Sequence, residues 1–136
     1  MTKAGWRDGV RVVRAGALQG KARATAFDFA GGGGQKTWIG IVTLQPRACT
    51  GPHHHGIHEV ALYVSRGRTE LRWGERLEFR ADLGPGDFAY FTPGVPHQEL
   101  NPSEQESTEF VVVRSDNSGY VTRLETVPAE RPESVF

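Results

Sequence analysis

Several things are scarce in this sequence, and each scarcity excludes something. The chain has one cysteine, Cys49, in 136 residues. A lone thiol makes no internal disulfide, which points to a reducing, cytoplasmic setting. No charge predominates: Lys and Arg total 16, and Asp and Glu total 16. A nucleic-acid partner would want a clear basic excess, so none is expected. No apolar run is long enough to span a bilayer, and no membrane partner is expected. Residues 1–10 hold no apolar signal core, so export is not expected. Amphipathic stretches of helical length are also missing. The length fits a single domain, 1–136, with one core.

What remains is a chain of short apolar segments punctuated by 17 glycines and 8 prolines. That pattern predicts an all-β barrel or sandwich. Strands are expected at 10–15, 22–29, 37–44, 59–65, 69–73, 76–81, 88–91, 97–100, 109–114 and 120–126. Arg66-Gly67-Arg68 reads as a hairpin turn between two of them. Gly31 to Gly34 lacks the Lys-Ser or Lys-Thr of a phosphate-binding loop and reads as a flexible turn. Residues 101–107 read as a polar loop. Residues 128–136, with two prolines, read as a frayed tail.

The chemistry is concentrated in Gly51-Pro52-His53-His54-His55-Gly56-Ile57-His58-Glu59, which holds four of the five histidines. Residues two apart on a strand share a face, so His53 and His55 can aim at one point. Glu59 adds a carboxylate, and His97 adds a third imidazole from far downstream. Such a nitrogen and oxygen set suits one divalent transition metal per chain: Mn, Fe, Co, Ni, Cu or Zn. It suits Mg or Ca poorly. His54, between two candidate ligands, should face the other way. Glu99 lies two residues past His97, on the same strand face. It reads either as a general acid or base in the barrel or as an ion-pair partner of an arginine. Cys49, just before the ligands, reads as a small core residue, with an approach to the cavity as the alternative, and Trp38, Tyr63, Trp73, Tyr90 and Phe91 as core or interface aromatics.

The second segment, Gly86-Asp87-Phe88-Ala89-Tyr90-Phe91-Thr92-Pro93-Gly94-Val95-Pro96-His97-Gln98-Glu99-Leu100-Asn101, makes the pattern specific. Together the two segments resemble the paired signature motifs of the cupin superfamily, in a small one-domain (monocupin) form. The first family motif runs Gly, five residues, His-x-His, three or four residues, Glu, six residues, Gly. The second runs Gly, five residues, Pro-x-Gly, two residues, His, three residues, Asn. Gly86, Gly94, His97 and Asn101 fall at the second motif's positions, and Thr92 stands where it has proline. The first motif departs in two ways. Gly51 lies closer to His53 than the motif's glycine does, and seven residues rather than six separate Glu59 from Gly67. Counting forward from His55 selects Glu59 as the carboxylate. Counting back from Gly67 selects Val60, turning Val60, Leu62 and Val64 inward with His58 as a candidate. The fourth ligand is therefore Glu59, with His58 as the alternative, and a bulge can absorb the extra residue.

The resemblance implies a double-stranded β-helix, a jelly-roll barrel whose metal-site core spans 37–114. His53, His55, Glu59 and His97 would converge near its mouth around a small-molecule ligand. It also implies a homodimer that packs or exchanges N-terminal strands, here residues 10–15. The implied activities are those of a metal-dependent dioxygenase, decarboxylase or isomerase, acting on a small anionic or enolisable molecule. The alternative is a non-catalytic binding or sensing barrel.

Overall fold

The computed structural model describes residues 6–8, 10–27, 36–115 and 121–136. The glycine run Gly31 to Gly34 and Tyr120 lie outside the described residues. The chain is built of strands: β1 (Trp6–Arg7), β2 (Val10–Arg11), β3 (Arg23–Phe27), β4 (Trp38–Leu44), β5 (His53–His54), β6 (Val60–Arg66) and β7 (Thr69–Trp73). They are followed by β8 (Phe79–Leu83), β9 (Phe88–Phe91), β10 (His97–Leu100), β11 (Thr108–Arg114), β12 (Thr122–Arg123) and β13 (Glu133–Ser134). One 3-10 turn, Ala15–Ala17, interrupts them. No helix among the described residues is long and apolar enough to cross a membrane.

Apart from β1 and β2, the strands form two sheets of order β12-β5-β10-β7-β8-β13 and β3-β4-β11-β6-β9. Their inner faces share one core. Trp38, Val42 and Leu44 alternate inward on β4, Val60, Leu62 and Val64 on β6, and Phe110 and Val112 on β11. Leu71 and Phe91 complete it from β7 and β9. Each such side chain stabilises the fold by about 1.5–3 kcal/mol through burial. This is the double-stranded β-helix expected from the sequence.

Three local readings change. The turn at Gly67 joins no hairpin: β6 pairs with β11 and β9, whereas β7 pairs with β10 and β8. It is a corner where the chain crosses between sheets. Gly67 has φ +76°, and a Cβ there would lie 2.7 Å from the Ser107 carbonyl oxygen, so no other residue fits well. Two buried threonines brace the corner. Thr108 donates to the Arg66 carbonyl at 2.9 Å, which uses its only hydroxyl hydrogen. Thr69 must therefore be the donor in the 3.0 Å contact between the two hydroxyls. The expected first strand is only the two-residue β2, paired with β1 in a small sheet of its own. In the tail, expected to fray, β13 pairs in parallel with β8.

Outward, the five-stranded sheet carries two apolar cross-strand rows. Phe88, Tyr63, Val111, Ile41 and Ala24 form one, by register, and Tyr90, Ala61, Val113, Ile39 and Phe27 the other.

Candidate metal centre

Strand register assembles the site. On β5 and β10, His53 is the direct partner of His97, and Arg123 of β12 is the partner of His53 on the other side. Directly opposed residues share a face, so Arg123, His53 and His97 form one row. On the facing sheet, Trp38, Arg114, Val60 and Phe91 form a second row across β4, β11, β6 and β9. The rows meet where the Phe91 ring stacks on His97, with centroids 4.1 Å apart and planes 11° apart. His55 follows β5 and returns to the same point before the turn at Gly56, whose φ is +63°.

The three imidazoles converge. One ring nitrogen from each of His53, His55 and His97 lies within 4.8 Å of the others. His55 and His97 are buried, and His53 is half-buried. Two tautomers can be read directly. His53 Nδ1 lies 2.6 Å from the Gly51 carbonyl, and His97 Nδ1 lies 3.0 Å from the Val95 carbonyl. A carbonyl only accepts, so both Nδ1 atoms carry a proton, which leaves the Nε2 atoms to face the site. His97 Nε2 is fully buried with no hydrogen-bond partner. Burial holds the His97 imidazole below its ordinary pKa against the opposing pull of Glu99, so the ring is neutral at pH 7. An orphaned, neutral, buried lone pair beside two more imidazoles is what a metal ligand requires, so the residues present fit a divalent transition metal.

The other expected site residues divide. Glu59 precedes β6 and is exposed; its carboxylate accepts a hydrogen bond from the Tyr90 hydroxyl at 2.6 Å, away from the trio. A bulge does interrupt β6 opposite Glu109 and Phe110, but it leaves Val60, Leu62 and Val64 inward and Glu59 outward. His58 is half-buried, its backbone N–H bonded to the His55 carbonyl at 3.1 Å, and it does not join the trio. His54 faces away, as expected: its Nδ1 accepts the Gly56 N–H at 2.9 Å. Glu99 is inside, with 5% exposure, although its carboxylate, like His58, stands outside the 4.8 Å cluster of the three imidazoles. Its Oε2 accepts the Thr50 hydroxyl at 2.7 Å, and its Oε1 lies 3.6 Å from His97 Nε2. The neighbour of Glu99 is thus a histidine rather than an arginine. Burial pushes the Glu99 carboxyl up, but His97, His53, the Thr50 hydroxyl and His55 together hold it below its ordinary value.

Two of the trio, His53 and His55, open into a cavity of about 290 Å³ that Arg123, Trp38, Arg114, Val60, Glu99 and Thr50 also line. Cys49 lines it as well and is exposed, not a core residue. Arg23, Arg114 and Arg123 also line it, and sequence reading did not single them out. Arg114 follows Phe110 and Val112 at the inward period of β11, a signal that was available. Its guanidinium lies 4.1 Å from the Trp38 ring centroid. A larger cavity of about 640 Å³ lies between β8 and β9, with an almost wholly apolar and aromatic lining.

A small jelly-roll barrel with a histidine cluster facing its cavity defines a class, and the sequence confirms it. A family model described as "Cupin domain" matches residues 40–114. The chain belongs to the cupin family. No curated protein matches it. Among solved structures, it is similar to a double-stranded β-helix protein from Klebsiella pneumoniae. That match has 20% identity and TM-score 0.64, over 76% of this chain and 83% of the other. The polyketide cyclase RemF from Streptomyces resistomycificus matches with 20% identity and TM-score 0.69, over 90% of this chain and 89% of that one. Oxalate decarboxylase from Bacillus subtilis matches with 26% identity and TM-score 0.57, over 65% of this chain but only 24% of that chain.

Proposed function

We propose that this cupin is a metal-dependent enzyme acting on a small anionic molecule, in a reaction of the dioxygenase, decarboxylase or isomerase type. The observation that carries the reading is a histidine trio that opens, through His53 and His55, onto a cavity lined by three arginines. A divalent ion held by His53, His55 and His97 would act as a Lewis acid for a substrate oxygen. The protein's own part is to bind and orient. Guanidinium groups match carboxylates in planar, two-pronged geometry, and Arg23, Arg114 and Arg123 surround the space a substrate would fill. Among the described residues lining that space, three are arginines and one, Glu99, is a carboxylate. Trp38, Val42, Phe110 and Val112 keep the inner end apolar, which strengthens each charge interaction there. The resemblance to an oxalate decarboxylase agrees with a carboxylate substrate. The volume suits a ligand at the small end of the usual range.

The test is a panel of small dicarboxylates, oxo-acids and diketones offered to metal-loaded protein, following binding, oxygen uptake and ultraviolet change. Malonate should bind, and Arg123→Gln and Arg23→Gln should each weaken it by about tenfold. Equal binding by all three proteins would remove the anion reading. Binding without turnover across the panel would make this a sensing barrel.

We also place a second copy of the chain against the outward face of the five-stranded sheet. Its two apolar rows extend about 20 Å across five strands, and Tyr63, Phe88, Tyr90 and Val113 are exposed there. Sedimentation should return twice the chain mass, and Tyr63→Lys should return the monomer. A monomeric native protein would exclude this pairing. The setting proposed is the cytoplasm, where the exposed Cys49 stays a thiol.

A further inference from the structure

The trio supplies three imidazole nitrogens and would leave a divalent ion at least one coordination position to fill. We propose that Glu99, rather than Glu59, gives a carboxylate oxygen to the metal there. The inference rests on the metal-centre reading above and adds the identity of its carboxylate.

Glu59 is held away by several independent contacts. Its carboxylate accepts the Tyr90 hydroxyl, its N–H donates to Ser115 Oγ at 3.0 Å, and its carbonyl accepts the Ser115 N–H at 3.1 Å. Bringing it inward needs a one-residue slip of β6. That slip would carry Val60, Leu62 and Val64 out of the core, because strand side chains alternate strictly. The inward position at this point of the wall belongs to Val60, which has no donor atom.

Glu99 shows the opposite pattern. It sits two residues beyond His97 on β10 and lines the cavity onto which His53 and His55 open. Thr50 fixes it twice: the Thr50 hydroxyl donates to Oε2, and Glu99 N–H donates to Thr50 Oγ1 at 3.0 Å. Those bonds leave Oε1 toward His97 Nε2. With Nδ1 turned to the Val95 carbonyl, His97 Nε2 faces Glu99 Oε1 at 3.6 Å, too long for a direct hydrogen bond. Two ligands on one ion, each about 2.0–2.2 Å from it, stand at such a separation.

The experiment uses the full chain without a histidine tag, with Zn²⁺ affinity measured against a competing chelator. Glu99→Gln keeps the shape and removes the charge; it should weaken Zn²⁺ by about a hundredfold and shift the visible bands of the Co²⁺-loaded protein. Glu59→Gln should change affinity by no more than about twofold. Glu59→Gln weakening Zn²⁺ as much as Glu99→Gln, or Glu99→Gln leaving affinity and bands unchanged, would overturn the assignment. A native chain that binds no Zn²⁺ or Co²⁺ would instead sink the metal-centre reading itself. A Zn²⁺-loaded crystal of the unaltered chain needs no variant to fold. It should place Glu99 Oε1 about 2.0–2.2 Å from the ion, and an ion held by Glu59, or by the histidines with Glu99 out of contact, would refute the proposal.

Discussion

Replacing His97 with alanine should abolish transition-metal binding, and His55→Ala should do the same. His54→Ala should leave binding nearly intact. The asymmetry follows from the strand faces. His55 and His97 are the two buried members of the trio, and His97 brings a bare Nε2 that nothing else in the protein satisfies. His54 spends its Nδ1 on the Gly56 N–H and points off the site. Native protein purified without a tag should carry close to one ion per chain, and elemental analysis reads the loss in each variant. A second measurement follows from mass action. An ion bound only by the native state, at a hundred times its dissociation constant, stabilises that state by about 2.7 kcal/mol. Adding Zn²⁺ should therefore raise the melting temperature of the native chain and of His54→Ala, but not of His97→Ala. Equal metal loss in all three variants would mean that the face assignment is wrong.

The histidine trio was legible because it depends on two short-range facts: residues two apart share a strand face, and the spacing around His97 matches a known motif. Glu59 shows where that kind of reading stops. Whether it or Val60 faces inward is decided by pairing with β11, some fifty residues away, which sets Val60 against Arg114. Local counting gave one answer from His55 and another from Gly67, and the structure follows the count from Gly67. The corner at Gly67 fails for a related reason. Glycine with positive φ marks a sharp turn, but hairpin and inter-sheet crossing use the same local chemistry. Only the partners of β6 and β7 tell them apart. Of the three cavity arginines, Arg114 was readable from the alternation of β11. Arg123 reaches the site only through its register with His53, and no spacing within the sequence encodes that.

Asn101→Ala should destabilise the protein by about 3 kcal/mol or more, although Asn101 touches neither the trio nor the cavity. It is 3% exposed and closes the polar loop between β10 and β11. Its two Nδ2 hydrogens are shared among the carbonyls of Leu44 at 3.1 Å, Gln45 at 3.2 Å and Glu106 at 2.7 Å. Its Oδ1 accepts the Ser103 N–H at 3.0 Å. One side chain thus joins the end of β4, in one sheet, to the loop that leaves β10, in the other. Alanine strands these groups, and each buried polar group left unpaired costs about 1–3 kcal/mol. Solvent reaching the loop side will satisfy some of them, which keeps the total near the lower end. Aspartate is no remedy. It keeps an acceptor for Ser103 but sets a negative charge against three carbonyl oxygens, so Asn101→Asp should be at least as damaging. Denaturant melts of the metal-free proteins give the comparison directly. The backbone bond from Asn101 N–H to the Ala48 carbonyl, 2.9 Å, survives both changes, so the folded fraction should still bind metal. A loss below about 1 kcal/mol would show that water replaces the asparagine, and that the motif's last residue does not hold the two sheets together.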